Sequence, residues 1–208
     1  MEGLQGVPEA AARCRAFAID PGPQAPQQAV ERGVEVEPVF ADTGHEHSET
    51  YAYLDYLERA LGPIRRVRAE FTRKFARKRQ TIAEKWPDDG VPEERVAQAL
   101  ALLHPTGNPF LDLCMLKGRF PSTRARFCSQ ELKHAPIREQ VVEPLLTDGH
   151  TVVSWQGVRA DESAARANLP IVDEPEDGLI VYRPLIHWTA AEVFDLHRRH
   201  GIRWNPLY

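Results

Sequence analysis

Short β-branched runs that give way to polar turns, and then to helical patterning, recur along this chain. That order narrows it to few architectures. TVVSWQGV at 151–158 is the strongest strand signal, being β-branched and apolar, and a polar, charged stretch follows it directly. Val34, Val36, Val39 and Phe40 read as a buried strand, weakened by Pro38, and the turn ADTGHEHSE comes next. Leu54, Leu57 and Leu61 then recur at i, i+3 and i+7, predicting a helix over 49–61 that Gly62-Pro63 ends. Further strands are expected within 64–71 and at 179–182. Thr189 and Glu192 form a capping box for a last helix, with Val193 and Leu196 on its apolar face and Gly201 at its C-terminal cap. Strands alternating with helices predict an α/β fold, a Rossmann-like parallel sheet flanked by helices.

The remaining expectations concern the parts that break this rhythm. Of 17 prolines in 208 residues, four fall in the first 28, where IDPGPQAPQQ collects turn-formers. Residues 1–28 are therefore expected to be an irregular N-terminal segment, with at best a short strand around Phe17–Ile19. A single domain is expected over 29–208, with a helical insert at about 72–120. Val91-Pro92-Glu93 opens a helix with Val96, Leu100 and Leu103 on one face, HPTGNPF at 104–110 is a turn cluster, and Pro136 and Pro144 are expected to break or bound a helix over 129–147.

Charge and cysteine usage exclude several classes. The net charge is −4, with 42% hydrophobic and 27% charged residues, as in ordinary globular proteins. No apolar run approaches the roughly 18 residues of a membrane span, and no signal-peptide pattern opens the chain. Cys14, Cys114 and Cys128 are odd in number and contain no CxxC pair, which argues against a disulfide scaffold or a zinc site complete in this chain. A cytoplasmic location is the resulting expectation.

Three polar clusters follow predicted strands or open helices. In Asp42-Thr43-Gly44 the carboxylate can accept from ribose hydroxyls or hold a metal, and Gly44 permits a close turn; the plainer reading is a turn bonding its own amides. In Gly157-Val158-Arg159-Ala160-Asp161-Glu162-Ser163-Ala164-Ala165-Arg166, two guanidinium forks suit a phosphate or sulfate, with helix amides from about Asp161 adding positive potential and Glu162 orienting an arginine. The alternative is an exposed, salt-bridged helix start. Cys128 opens a helix between Arg126 and Lys133, which favours a thiolate, against the alternative of an inert buried thiol. Cys114, in an apolar run, reads as core.

His45 and His47 lack a third metal ligand, and His197 and His200 read as surface residues. Residues 65–79 hold eight basic side chains against Glu70, read as a solvated helix face or as a nucleic-acid contact. Trp86, Trp155, Trp188 and Trp204 read as core or pocket wall.

The landmarks VFADTGHEHSETYAYL, PTGNPFLDLCMLKGRFPS, RFCSQELKHAPI, WQGVRADESAARA, PLIHWTAAEVF and NPLY together resemble the phosphoadenosine phosphosulfate (PAPS) reductase family of the adenine-nucleotide α-hydrolase-like superfamily, over about 30–208. The resemblance implies thiol-dependent reduction of an adenylyl sulfate to sulfite, with a thioredoxin-like reductant. It nominates Asp42, Thr43 and Gly44 for the nucleoside. For the anionic end it nominates Lys133, Arg159, Glu162 and Arg166, with Gly157 and Ser163 as further substrate- or nucleotide-binding residues. Cys128 falls at a position that supplies an iron–sulfur ligand in some members and is the candidate catalytic thiol here. Relatives on this fold that split ATP for sulfur transfer or nucleic-acid thiolation are a second implied class, and a non-catalytic nucleotide-binding member is a third. Two departures stand out. The family's serine–glycine–glycine–lysine phosphate loop is replaced by Phe17-Ala-Ile-Asp-Pro-Gly-Pro-Gln, whose prolines offer no amide, and family members usually continue past NPLY into a cysteine-bearing tail.

Overall fold

The computed structural model of the chain describes residues 14–19, 36–174 and 178–207. Its centre is a six-stranded sheet in the order β3-β2-β1-β4-β6-β5. The strands are β1 (Cys14–Ile19), β2 (Val36–Asp42), β3 (Arg65–Arg68), β4 (Thr151–Gln156), β5 (Val172–Asp173) and β6 (Leu179–Tyr182). β1 pairs in parallel with both β2 and β4, and β4 pairs in parallel with β6; β5 runs antiparallel at the edge. The chain runs outward from β1 to β3, then returns to the other side of β1 with β4. That reversal makes a topological switch point between β1 and β4, which leave the sheet in register at Ile19 and Gln156.

The Rossmann-like α/β expectation thus holds, with one correction inside it. Cys14–Ile19, expected to be irregular or at best a strand stub, is a central strand. A strand between two neighbours gains two hydrogen-bond ladders, so CRAFAI needs little apolar patterning of its own. The rest of the 1–28 segment lies outside the described residues. β2 accommodates Pro38, which sits opposite Ala18 of β1, and buries Val39, Phe40 and Ala41.

Among the described residues the helical segments are α1 (Ser48–Leu61), α2 (Thr72–Asp88), α3 (Glu93–Leu102), α4 (Pro109–Lys117), α5 (127–147), α6 (Ala164–Ala167) and α7 (Ala190–His200). Pro136 and Pro144 do not break α5. Two π-type stretches, Gln130–His134 and Arg138–Val142, flank the turn that holds Pro136, and Pro144 enters at the start of the final α-turn, Glu143–Thr147. Local π widening re-registers the hydrogen-bond ladder around a residue that has no amide to donate.

Two compact units emerge from the packing. The first takes the described residues within Met1–Ala41, His47–Val67 and Ile137–Tyr208; the second takes Asp42–Glu46 and Arg68–Pro136. The segment 72–120 falls within the second. In the first unit, Val39, Val67, Val141, Val142 and Val152 form one cluster, and Phe40, Leu54, Leu57 and Ile64 another. The second unit is built around Phe71, Phe75, Leu113 and Leu132. There Glu131 receives Lys117 at 2.8 Å and Lys74 at 2.5 Å. Burial opposes its ionisation, but the two ammonium groups outweigh that and hold its carboxyl below the usual range.

α7 begins and ends as its sequence predicts. Thr189 Oγ1 accepts from the Glu192 amide at 3.3 Å, Glu192 accepts from the Thr189 amide at 2.7 Å, and Gly201 caps at φ 64°. His197 is not a surface residue, however. It is 1% exposed, with Nδ1 3.1 Å from the Ile202 carbonyl and its ring edge-on to Trp204. The chain folds back after Gly201 and covers that face of α7. Burial lowers the His197 pKa, and backbone hydrogen bonds only partly offset this. The unfolded chain therefore takes up the proton first as pH falls below the ordinary histidine value of about 6.5, and stability is lost as pH drops from there toward the folded pKa. Thermal denaturation between about pH 7.5 and about pH 5 should show this loss, and His197→Gln, which keeps a donor for Ile202, should flatten that part of the profile. An unchanged profile would contradict the assignment.

No described helix is long and apolar enough to cross a membrane.

Candidate functional site

The second unit holds the turn Asp42–Glu46, where β2 ends. Asp42 Oδ1 accepts from the Gly44 amide at 2.8 Å; Thr43 Oγ1 donates to Glu46 at 2.8 Å and accepts from the His45 amide at 3.2 Å. The turn thus bonds its own amides, and the carboxylate's other oxygen lies 3.9 Å from Arg68 Nε. Lys133 Nζ sits 3.9 Å from Glu46, which brings Asp42, Thr43, Gly44 and Lys133 into one neighbourhood. Asn108 closes it. Its Nδ2 donates to the Gly44 carbonyl at 2.7 Å, while its Oδ1 caps α4 through the Phe110 and Leu111 amides. Asn before a proline at the first helical position is a helix-start signal, legible in NPF but read above only as a turn. Buried Asp112 fixes the preceding loop by accepting from the Thr106 amide and hydroxyl, both at 2.7 Å.

Gly44 is required for two reasons. Its φ is +72°, and a Cβ there would lie 2.8 Å from Pro109 Cδ, part of a rigid ring. Gly44→Ala should therefore cost about 1–3 kcal/mol, read as a fall in Tm; a neutral result would show that the turn relaxes freely.

His45 stacks on Phe110 at 4.2 Å and 6°. His47, in the first unit, caps α1 by accepting from the Glu49 amide at 3.1 Å. Cys114 is buried as expected, and burial pushes its thiol pKa up. Cys128 is half-buried against the apolar cluster of this unit. The cations expected to flank it have other contacts: Arg126 donates to the Thr123 carbonyl at 3.2 Å, and Lys133 faces Glu46. Among the described residues no group of three or more His, Cys, Asp or Glu could hold a metal ion. The described thiols, Cys114 and Cys128, do not fit a four-thiolate iron–sulfur cluster.

In the first unit, the stretch after β4 brings Arg159, Glu162 and Arg166 together, the Ser163 carbonyl accepts from the Arg166 amide at 2.9 Å, and Gly157 directly follows the last residue of the strand. Arg159 NH1 lies 2.9 Å from Asp161, and its Nε lies 3.6 Å from Glu162, whose other oxygen pairs with Arg166. Glu162 therefore orients both arginines, one more than expected. Arg159 is the more enclosed, its side chain 18% exposed against 47% for Arg166. The expected helix amides are not supplied. Residues Ala160–Glu162 make a single 3₁₀ turn, and α6 is four residues long, too short to carry a useful dipole. Positive potential here comes from the guanidinium groups.

Sequence reading missed Arg183, which is 7% exposed. It donates to Gln156 at 3.2 Å and to the Pro170 carbonyl at 3.1 Å, and lies 3.6 Å from Asp173. It thereby tethers the last residue of β4, immediately before Gly157. Near the NPLY landmark, Arg203 lies over the Tyr56 ring at 4.2 Å, and its carbonyl accepts from Tyr53 at 2.7 Å. These residues and Trp204 line a cleft of about 420 Å³.

The comparisons with known proteins agree with this architecture. A family model for the phosphoadenosine phosphosulfate reductase domain matches residues 27–208. An uncharacterized 37.8 kDa protein from the gpa 5′ region of Escherichia phage 186 is 58% identical over 192 residues, covering 86% of this chain and 58% of that one. The phosphoadenosine 5′-phosphosulfate reductase of Cronobacter sakazakii is 31% identical over 70 residues, 32% of this chain and 28% of that one. The adenosine 5′-phosphosulfate reductase of Allochromatium vinosum is 33% identical over 78 residues, 36% of this chain and 30% of that one. The chain thus spans little more than half of the phage relative's length and under a third of either reductase's. The crystal structure of phosphoadenylyl-sulfate reductase from Candida auris, in a phosphate complex, superposes with a TM-score of 0.51 at 17% identity, covering 94% of this chain and 76% of that one.

Proposed function

Because the chain belongs to the phosphoadenosine phosphosulfate reductase family, we propose that it binds an adenylyl sulfate and takes part in its thiol-dependent reduction to sulfite. The observation that carries this is the pair Arg159 and Arg166 held on Glu162 directly after β4, beside the switch point of the sheet. Ligands of open α/β sheets favour that place, and oriented guanidinium forks suit sulfate and phosphate oxygens. Gly157 and Ser163 are assigned to the backbone that borders the anion; in the second unit, taken by itself, Asp42, Thr43 and Gly44 keep their assignment to a nucleoside and Lys133 its assignment to an anionic group.

In this reading a thiolate attacks the sulfur, and the sulfur–oxygen bond to the nucleotide phosphate breaks. The phosphate oxygen keeps the electron pair, and the arginines offset the charge that develops on it. The resulting S-sulfocysteine releases sulfite when a second thiol attacks its cysteine sulfur. A thioredoxin-like dithiol, oxidised to a disulfide, supplies both electrons. Cys128 is the thiol of this chain assigned to the first attack.

Isothermal titration with adenosine 3′,5′-bisphosphate and with ATP tests the binding half. Tighter binding of the bisphosphate supports the reading; a preference for ATP, or no heat with either, refutes it. Mass spectrometry after incubation with adenylyl sulfate tests the chemical half. An S-sulfonate on Cys128, absent from Cys128→Ser, is expected, and an unmodified Cys128 with bound nucleotide would overturn its catalytic assignment.

A further inference from the structure

The basic run 65–79 divides between the two units. Arg65 pairs with Glu37 and Arg66 with Asp55 and Glu58, all in the first unit. In the second unit, α2 carries Arg73, Lys74, Arg77 and Lys78, and their positive row continues onto a different stretch, 117–126 (KGRFPSTRAR). Two contacts make the row continuous: Lys74 and Lys117 share Glu131, and Lys78 Nζ donates to the Leu116 carbonyl. Residues 117–130 contain four cations and no acid. Among the described residues Arg119, Arg124 and Arg126 make no salt bridge.

Aromatic rings are interleaved with these cations. Phe120 is 69% exposed, with one side toward Phe110 at 6.3 Å, which itself stacks on His45. Phe127 lies under both Lys117 and Arg119, each 5.7 Å from its ring centre. An exposed large apolar ring costs solubility on any surface, and here it lies in a stretch whose arginines make no salt bridge among the described residues. An acidic protein segment would use the charges but has no use for the ring. Successive phosphates with unstacked bases use both.

We propose that the α2 face and the stretch 117–126 form a binding surface for single-stranded nucleic acid. Phe120 stacks a base, and Arg119, Arg124 and Arg126 contact phosphates with Arg73 and Arg77 extending the track. None of these side chains is assigned to the nucleotide above, and the test is run without nucleotide, so its outcome is separate from the titrations already described.

The test is fluorescence anisotropy of the whole chain with a labelled oligothymidylate of roughly 20 nucleotides at about 50 and about 200 mM salt. Binding that weakens steeply with salt is expected. Phe120→Ala should weaken it by about 5- to 150-fold, with Phe120→Tyr restoring it, since stacking survives the added hydroxyl. Arg119→Ala with Arg124→Ala should reduce the salt slope by about 1.4, the share of two phosphate contacts on a single strand. Arg95→Ala, an exposed arginine on α3 of the same unit, should leave affinity unchanged. Three results would overturn the proposal: no binding at the lower salt, equal or tighter binding of a duplex of the same length, or displacement of the oligonucleotide by polyglutamate at equal charge concentration. Loss of Phe120 without effect would do the same, because bare charge would then explain the binding.

Discussion

Arg159→Ala should weaken binding of adenosine 3′,5′-bisphosphate by about 10- to 150-fold, the share of a hydrogen bond to a charged group. The argument rests on how Arg159 is held. Asp161 and Glu162 take NH1 and Nε, fixing the plane of a side chain that is only 18% exposed. A fork held in advance loses little entropy when an anion arrives. Arg159→Lys should not restore affinity, because one ammonium cannot satisfy two carboxylates and an oxyanion in a fixed plane. Glu162→Gln should weaken binding too, through two loosened arginines. Arg198→Ala is the matching control, since Arg198 is an exposed arginine paired with Asp195 on α7. An Arg159→Ala titration that matches the unmodified chain would remove this arginine from the site.

Arg183→Ala should destabilise the first unit by about 1–3 kcal/mol, read by urea denaturation with an unchanged m-value. Removal of the guanidinium leaves the Gln156 side-chain oxygen and the Pro170 carbonyl without their donor. Such unmet acceptors cost about 1–3 kcal/mol each where they are fully buried, and less here, because Gln156 is half-buried and Pro170 exposed. Asp173, half exposed, contributes little of this, since water solvates it once its partner is gone. Arg183→Lys should recover only part of the loss. Because Gln156 ends β4 beside Gly157, nucleotide affinity should fall as well, an effect a purely peripheral salt bridge would not have. A change below about 0.5 kcal/mol, the usual range of surface substitutions, would refute the tether.

Much of the architecture was legible in local pattern. The strands 151–156 and 179–182, the helix ended by Gly62-Pro63 and the capping box of α7 all follow from periodicity and cap chemistry, which act within a few residues. The sequence also marks candidate residues, because strand ends followed by Asp-Thr-Gly or by spaced arginines are visible in one dimension. What those side chains bond to was not. Asp42 spends one oxygen on the Gly44 amide, Glu162 serves two arginines, and the cations beside Cys128 turn to Thr123 and Glu46.

The sequence by itself determined the strands of 36–42, 151–156 and 179–182, the helices α1 and α7 with their ends, and the residue types waiting at the strand ends, since these depend on near neighbours. Only the tertiary structure decided that CRAFAI is a central strand, that α5 passes Pro136 by π turns, that His197 and Arg183 are buried, and that the basic run divides while its α2 half joins 117–126. Each of those outcomes is set by a partner distant in the chain: a second ladder, a folded-back segment, a shared carboxylate. Pairwise contacts of that kind leave no local period to read.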